Sequence, residues 1–315
     1  MDFAPGQRLV IFGAGYVGAA LARAGIARGL HVTALTRNPA TAADLVAAGV
    51  ETVVADLAGE AWHSRIAPDA DYVVNCVGSG GGGVEGYRHS YLGGMRSLLA
   101  WAGAGRIGPL VYTSSTSVYP QDGGVRLDDD AAVGGGATAD VLLEAEELLR
   151  AWGRVGGPPL PSIGESRGGV LPPSFHHRRA FILRLAGIYG PGRHYLLDDL
   201  RAGARELAGS GGHHLNLIYR DDVVGAICAA LTAPAAVAGG TFNVADDGAA
   251  TREEVAAWLA ARLGRPEPRF TGAPAPGRSR ITPDRVIGSA GIRRTLGWAP
   301  AFPTFREGYE KILSR

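Results

Sequence analysis

Short apolar runs alternate with amphipathic segments along the first half of the chain. The apolar runs predict buried strands at residues 8–12, 31–36, 51–55, 72–77 and 110–114. The amphipathic segments predict helices from a glycine turn to about Arg28, from Pro39 to near Gly49, and near 58–66 and 87–102. Because the strands are apolar throughout rather than alternating, they indicate a parallel sheet covered by helices on both faces.

The second half of the chain predicts a different mixture of elements. A long amphipathic helix is expected at about 138–152, and the Gly- and Pro-rich segment 153–179 follows it as a surface insertion, a lid or a disordered loop. Further predicted elements are a strand at 180–185, helices near 196–208, 221–232, 251–263 and 303–313, and strands near 215–218 and 241–244. We therefore predict a doubly wound α/β domain over residues 1–185. A smaller mixed α/β subdomain follows over residues 186–315, and some of its segments return to the first domain.

Composition narrows the class of protein. The 31 basic residues nearly balance the 30 acidic ones, which disfavours binding to nucleic acid or to a membrane surface. Hydrophobic residues make up 46% of the chain, enough to bury a core. The sequence has no apolar run long enough to span a bilayer and no signal-peptide pattern, so we expect a soluble, cytoplasmic protein. Cys76 and Cys228 are too far apart to indicate a disulfide framework or a zinc site.

The charged residues carry two further predictions. Lys311 is the single lysine, so a mechanism with an internal catalytic lysine is excluded, as is a Walker-type phosphate loop. The glutamates of the long helix, Glu144, Glu146 and Glu147, are interpreted as an exposed face, with Glu146 alternatively bracing the neighbouring domain.

A glycine turn joins the first predicted strand to the first predicted helix. In the sequence Gly13-Ala-Gly-Tyr-Val-Gly18, Gly13 permits a tight turn, Gly15 lets a pyrophosphate approach the backbone, and Gly18 allows close helix packing. Tyr16 and Val17 begin the helix, whose N-terminus presents N–H groups to the phosphates. The turn therefore predicts a dinucleotide site.

The ends of the next strands indicate which dinucleotide is bound. An NAD-preferring site has an acidic residue about 20 positions after the turn. This chain has Arg37 there, which favours the 2′-phosphate of NADP, so NADP is preferred and NAD is the alternative. We expect Asp56 and Leu57 at the adenine. Cys76, Val77 and Gly78 are then expected on the nicotinamide side.

Five ordered motifs are similar to those of one enzyme superfamily. They are residues 111–119 (VYTSSTSVY), 183–193 (LRLAGIYGPGR), 216–222 (NLIYRDD), 241–245 (TFNVA) and 296–308 (LGWAPAFPTFREG). Together they resemble the extended epimerase/dehydratase branch of the short-chain dehydrogenase/reductase superfamily over nearly the whole chain. The resemblance implies a Rossmann fold with bound NAD(P).

The family resemblance also implies a catalytic serine and a Tyr-x-x-x-Lys pair, of which the pair is missing. Ser115 lies at the family's serine position. Aligning the long helix with the family's motif places Thr138 at the tyrosine position and Leu142 at the lysine position. The chain thus resembles atypical members of the superfamily. We expect Ser115 and Tyr119 to be catalytic, with Tyr189 or a bound water as alternatives for proton transfer.

Substrate contacts are expected from the loops of the second half. Tyr189, Arg193 and Arg220 are the predicted substrate-binding residues, because their loops match the family and a guanidinium binds a phosphate or carboxylate. A diphosphate clamp for a nucleotide sugar would join Arg193 to Arg278 or Arg280. No metal site is predicted, since the two adjacent histidine pairs lack a third ligand at suitable spacing.

Three functions are consistent with these motifs. The first is an oxidoreductase or epimerase/dehydratase with a non-standard acid/base. Its substrate would be a small molecule that the sequence does not identify, and nucleotide sugars are among the candidates. The second is a non-catalytic NADP(H) sensor, and the third a scaffold that keeps only the fold. The glycine turn, Arg37 and Ser115 disfavour the scaffold, and the intact substrate loops favour the enzyme. A homodimer is left open.

Overall fold

The computed structural model describes residues 3–154, 178–273 and 283–314. Residues 155–177 of the predicted insertion lie outside this part of the chain, as do Arg278 and Arg280, so these predictions stay predictions. Among the described residues, no helix is long and apolar enough to cross a membrane.

The strands of the described residues are short and mostly lie where apolar runs predict them. In chain order they are β1 (Arg8–Phe12), β2 (His31–Thr36), β3 (Glu51–Val54), β4 (Asp69–Ala70), β5 (Tyr72–Asn75), β6 (Arg106–Ile107), β7 (Leu110–Ser115), β8 (Val125–Leu127), β9 (Ala180–Leu185), β10 (Gly187–Tyr189), β11 (Glu206–Leu207), β12 (Leu217–Tyr219), β13 (Gly239–Val244), β14 (Arg269–Phe270) and β15 (Arg285–Ile287).

Most of the helices lie where the sequence predicts them, although α5 is longer than the predicted 138–152 and α9 was not predicted. They are α1 (Tyr16–Ile26), α2 (Pro39–Ala47), α3 (Gly83–Tyr87), α4 (Gly94–Gly103), α5 (Ala137–Arg154), α6 (Tyr195–Arg201), α7 (Arg220–Leu231), α8 (Arg252–Arg262), α9 (Ala290–Leu296) and α10 (Phe305–Leu313). A π-helical segment, Arg88–Gly93, joins α3 to α4, and a 3₁₀ turn, Thr116–Val118, follows β7.

Seven of the strands form a central parallel sheet, which confirms the predicted doubly wound α/β fold. The strand order is β13-β9-β7-β5-β1-β2-β3. From β1, the chain first builds outward through β2 and β3 and then returns to add β5 on the other side. The order therefore reverses between β1 and β5, and a crevice opens at their carboxyl ends, where doubly wound folds bind ligands.

The helix predicted near 58–66 is wrong, because this segment forms successive turns. The Asp56 carboxylate accepts a hydrogen bond from the Ala58 N–H at 2.9 Å, which starts a turn instead of a helix. The side chain of Trp62 is then fully buried, and its indole N–H donates to the Leu57 carbonyl at 3.2 Å. The helix predicted at 196–208 is likewise shorter, since residues 206–207 pair as a strand with residues 269–270.

The chain forms two compact units, each assembled from separate stretches. The first contains the described residues of Met1–Ser114, Gly136–Leu183 and Ile227–Thr241, and the second those of Ser115–Gly135, Arg184–Ala226 and Phe242–Arg315. The sequence predicts a domain over residues 1–185 and a subdomain over residues 186–315, some of whose segments return to the first domain. This division stays a prediction.

Aromatic rings fill the core of the first unit. Phe12 at the end of β1 lies with its ring centroid 4.8 Å from that of Trp62 and 5.1 Å from that of Trp101. The Trp101 indole N–H donates to the Ile66 carbonyl at 2.7 Å, so its one polar group is satisfied. This packing fixes the carboxyl end of β1, where the glycine turn begins.

Candidate functional site

The glycine turn between β1 and α1 has the properties that its spacing predicts. Gly13 has a φ of +86°, and a Cβ there would lie 2.6 Å from the Val77 backbone nitrogen, so only glycine is accommodated. A Cβ on Gly18 would overlap the carbonyl oxygen of Gly13, so α1 packs directly against the turn. A Cβ on Gly15 would have no heavy atom within 4 Å, and the backbone there borders open space.

This open space belongs to a cavity of about 490 Å³ at the carboxyl ends of β1, β2, β3 and β5. Eight predicted cofactor residues line it, namely Gly13, Gly15, Arg37, Asp56, Leu57, Cys76, Val77 and Gly78. The other three, Tyr16, Val17 and Gly18, form the first turn of α1 rather than the lining. Residues from four separate strand ends thus meet at one surface.

Other lining residues were not predicted as ligand contacts. They are Leu35, Thr36, Asn38, Pro39 and Ser90. The first four lie at the end of β2 and the start of α2, so their place beside Arg37 was the signal that could have found them. Ser90 lies in the π-helical segment, and nothing in the local sequence pattern indicates its position.

The two helices that begin at this cavity differ in their capping. In α2, the Asn38 side chain accepts hydrogen bonds from the Ala40 N–H at 2.9 Å and the Thr41 N–H at 3.3 Å. In α1, no side chain caps the N-terminus and no acidic residue lies in the first turn. Within the described ranges, no capping or first-turn acidic side chain therefore neutralises the positive end of α1, which suits an anionic ligand beside Gly15.

Arg37 and Asp56 line the cavity and form a cluster with the neighbouring His89. His89 Nε2 lies 2.9 Å from Asp56 Oδ2, and Arg37 Nη1 lies 3.8 Å from the same oxygen. Burial alone would raise the pKa of Asp56. The His89 hydrogen bond, the Ala58 N–H and the Arg37 charge outweigh burial and hold the pKa below its usual value. The carboxylate is therefore ionised at neutral pH.

Cys76 follows β5 and lines the same cavity. Burial raises the pKa of its thiol to about 12, against a hydrogen bond with the Thr113 side chain that lowers it. The thiol is protonated at neutral pH and is not an activated nucleophile.

The two predicted catalytic hydroxyls have different surroundings. Ser115, at the end of β7, accepts a hydrogen bond from the Ser117 N–H at 3.1 Å and so caps the 3₁₀ turn. Tyr119 is only 2% exposed, and its hydroxyl donates to Asn243 Oδ1 at 2.7 Å and accepts from Arg184 Nη1 at 3.0 Å. Burial raises the pKa of Tyr119, against these two partners that lower it. The Tyr119 hydroxyl thus donates its hydrogen bond to one protein side chain and accepts one from another.

Helix α5 carries Thr138 and Leu142, the positions predicted to align with the family's tyrosine and lysine. Thr138 is partly exposed, whereas Leu142 is 1% exposed and belongs to the core. The interpretation of Glu146 as part of an exposed face is wrong, because this residue is fully buried. Its carboxylate accepts hydrogen bonds from Ser114 Oγ at 2.7 Å and Arg150 Nη2 at 2.5 Å, which ties α5 to the end of β7.

The predicted substrate residues lie in the second unit. Tyr189 is 3% exposed, and its hydroxyl has no hydrogen-bond partner among the described residues. Burial raises the pKa of Tyr189, and nearby acidic groups raise it further. Arg193 is exposed in a turn closed by two backbone hydrogen bonds with Gly190, and Arg220 pairs with Asp221 at 2.9 Å.

The second unit contains a smaller cavity, of about 260 Å³, for whose lining residues no ligand contact was predicted. Asp246, at the end of β13, lines it and is 6% exposed. Burial is the main cause that raises the pKa of Asp246 to about 8. The neighbouring Asp247, Asp222 and Glu307 raise it as well, against a hydrogen bond from the Gly248 N–H.

Comparison with known proteins gives a family match and a full-length relative. Residues 9–138 match the model of the NAD-dependent epimerase/dehydratase family. The chain is similar to Protein YeeZ of Escherichia coli strain K12, with 28% identity over 305 residues, which covers 94% of this chain and 97% of the relative.

Solved structures show the same fold at low sequence identity. UDP-glucuronic acid 4-epimerase from Bacillus cereus, in complex with UDP-glucuronic acid and NAD, has a TM-score of 0.77 and 18% identity over 96% of this chain and 97% of that chain. A functionally unknown conserved protein from Silicibacter pomeroyi has a TM-score of 0.72 and 21% identity over 98% of both chains.

Proposed function

We propose that this chain binds a nicotinamide dinucleotide in the cavity at the carboxyl ends of β1, β2, β3 and β5. Its residues 9–138 match the model of the NAD-dependent epimerase/dehydratase family. The observation that carries the proposal is the glycine turn. Protein atoms occupy the space where a Cβ of Gly13 or Gly18 would lie, whereas Gly15 borders open space at an uncapped helix N-terminus. This arrangement accommodates a pyrophosphate and accounts for all three glycines.

The preferred form of the dinucleotide is NADP. Arg37 lines the cavity next to β2, where the ribose of the adenosine half is bound in this fold. Its guanidinium can pair with a 2′-phosphate, and about half of its side chain is exposed to receive one. Asp56 competes for the same guanidinium, so the preference for NADP over NAD is smaller than Arg37 alone would give.

Calorimetry with NADP⁺ and NAD⁺ tests this assignment. We expect Arg37→Ala to weaken NADP⁺ binding by about 1.5–3 kcal/mol, the range for hydrogen bonds to charged groups, and to leave NAD⁺ binding nearly unchanged. Arg88→Ala, an exposed neighbour paired with Glu85 outside the cavity, is the matched control. Equal losses for both dinucleotides would contradict the NADP preference.

The proposed activity is oxidation–reduction or epimerisation of a small molecule, with nucleotide sugars as the leading class. The bound nicotinamide would supply hydride transfer, which is the cofactor's own chemistry. The chain would supply binding through the glycine turn and Arg37, and Ser115 would polarise the reacting oxygen. Tyr119 is placed to brace Arg184 and Asn243 rather than to move a proton to a ligand. Arg193 is the proposed contact for a substrate phosphate or carboxylate.

A non-catalytic NADP(H) sensor is the second candidate, and the buried tyrosines favour it. The hydroxyls of Tyr119 and Tyr189 are both enclosed by protein, and Leu142 places a core side chain at the family's lysine position. Incubation with a panel of nucleotide sugars distinguishes the two functions. Absorbance reports net oxidation or reduction of the nicotinamide, and chromatography of the sugars reports epimerisation, which leaves the cofactor unchanged overall. Turnover supports the enzyme, and dinucleotide binding without any hydride exchange supports the sensor. The homodimer and the cytoplasmic location stay predictions.

A further inference from the structure

Arg37 does not stand alone on the wall of the cavity, because one carboxylate oxygen lies between two basic groups. Asp56 Oδ2 is 2.9 Å from His89 Nε2, a hydrogen-bond distance, and 3.8 Å from Arg37 Nη1, an ion contact without a hydrogen bond. The other oxygen, Oδ1, accepts from the Ala58 N–H at 2.9 Å. The carboxylate is therefore bonded to His89 and to the chain, and only loosely to Arg37.

The three side chains are held in place by three different elements. Arg37 follows β2, Asp56 follows β3, and His89 is in the π-helical segment. The guanidinium of Arg37 lies against Gly80, whose φ is +66°, and a Cβ at that position would collide with Arg37 Nη2. Gly80 thus leaves room for Arg37 beside the cavity rather than against the carboxylate.

We propose that His89 and Asp56 set how strongly Arg37 discriminates between NADP and NAD, with His89 as a positioning residue that acts through Asp56. His89 forms a hydrogen bond with the Asp56 carboxylate, and Arg37 is therefore available to pair with a 2′-phosphate. Asp56 works against the phosphate, because it attracts Arg37 and repels an anion bound nearby. The inference rests on the proposed dinucleotide site and adds its specificity-determining residues.

The arrangement is tested by one ratio measured on the full chain, the dissociation constant of NAD⁺ divided by that of NADP⁺, which is large when NADP⁺ is preferred. His89→Ala leaves the Asp56 charge to Arg37, so we expect NADP⁺ affinity to fall about threefold to tenfold, the size of one charge contact near a protein surface, with NAD⁺ affinity unchanged. Asp56→Asn keeps the side-chain shape and removes the competing charge, so NADP⁺ affinity should rise by a similar factor. A loss of folding would weaken both dinucleotides together and leave their ratio unchanged.

A double variant isolates the coupling between the two residues. If His89 acts through the Asp56 charge, adding His89→Ala to Asp56→Asn changes the ratio by less than about twofold. Arg88→Ala is the control for a general loss of positive charge, since it removes a neighbouring cation that pairs with Glu85. It should leave the ratio unchanged.

The outcomes separate this inference from the function on which it rests. If the wild type binds neither dinucleotide, or if Arg37→Ala leaves the ratio unchanged, the proposed NADP site is overturned and this inference with it. If Arg37→Ala lowers the ratio as expected but His89→Ala and Asp56→Asn do not change it, this inference alone is overturned. An equal effect of His89→Ala in the presence and absence of the Asp56 charge also overturns it.

Discussion

At the scale of single residues, the three glycines of the first turn serve different purposes. Gly13 needs its positive φ and has the Val77 backbone nitrogen 2.6 Å from where a Cβ would lie. Gly15 has a negative φ of −84° and no atom within 4 Å of where a Cβ would lie. The first is a requirement of the fold, and the second leaves room for a ligand.

Alanine substitutions at Gly13 and Gly15 separate these two roles. Gly13→Ala should lower the free energy of unfolding by at least about 2 kcal/mol, because strain at positive φ adds to a backbone collision. Gly15→Ala should change unfolding by less than about 1 kcal/mol and weaken dinucleotide binding at least tenfold. Chemical denaturation and calorimetry measure the two quantities. A Gly15→Ala variant that binds normally would contradict the placement of the pyrophosphate.

At the scale of elements, α5 distinguishes the two positions that are predicted to align with the family's tyrosine and lysine. The buried carboxylate of Glu146 fixes the rotation of this helix through its hydrogen bond with Ser114 on β7. With that rotation, Leu142 faces the core at 1% exposure, whereas Thr138 is partly exposed. The position that aligns with the family's lysine is therefore a packing position in this chain.

Single substitutions on α5 test this difference. Leu142→Lys would bury an ammonium group without a partner and should cost about 3 kcal/mol or more of stability. Thr138→Tyr should cost less than about 1.5 kcal/mol, because part of the larger side chain can reach solvent. Denaturant midpoints of both variants, with Leu142→Met as the control for loss of leucine packing, provide the measurement. A well-folded Leu142→Lys protein would show that the helix can rotate.

At the scale of the whole molecule, stability depends on pH through Asp246. The pKa of this carboxyl is about 8 in the folded chain, mainly because of burial, and about 3.8 when it is unshifted. The folded state therefore holds a proton that the unfolded chain releases. That contribution is fully present below about pH 4 and is lost as the pH rises to about 8.

Asp246→Asn keeps the shape of the neutral acid and cannot ionise. Its stability relative to the wild type should increase with pH, by at least about 1 kcal/mol between pH 5 and pH 8. Urea unfolding at several pH values measures the difference, and Asp199→Asn, at an exposed position of α6, is the control. A constant difference between the wild type and Asp246→Asn would show that the folded chain does not hold this proton.

The sequence by itself determined most of the central sheet and the chemistry of one turn. β1, β2 and β9 lie where the apolar runs predict them, because buried parallel strands need continuous apolar residues. The spacing of Gly13, Gly15 and Gly18 likewise predicts the conformation of the turn, because that conformation depends on residues close together in the sequence. Such features depend on short stretches of chain, and a local pattern is sufficient to find them.

Only the tertiary structure decided which side chains meet. Asp56 and His89 are 33 positions apart, and the hydroxyl of Tyr119 reaches the Asn243 side chain over 124 positions. Glu146 looks like a solvated residue in its helix, and it is buried because Ser114 and Arg150 satisfy its carboxylate. The turns at 58–66 likewise form because Trp62 must reach the rings of Phe12 and Trp101. These outcomes depend on the burial and charge of distant partners, which the pattern along the chain does not contain.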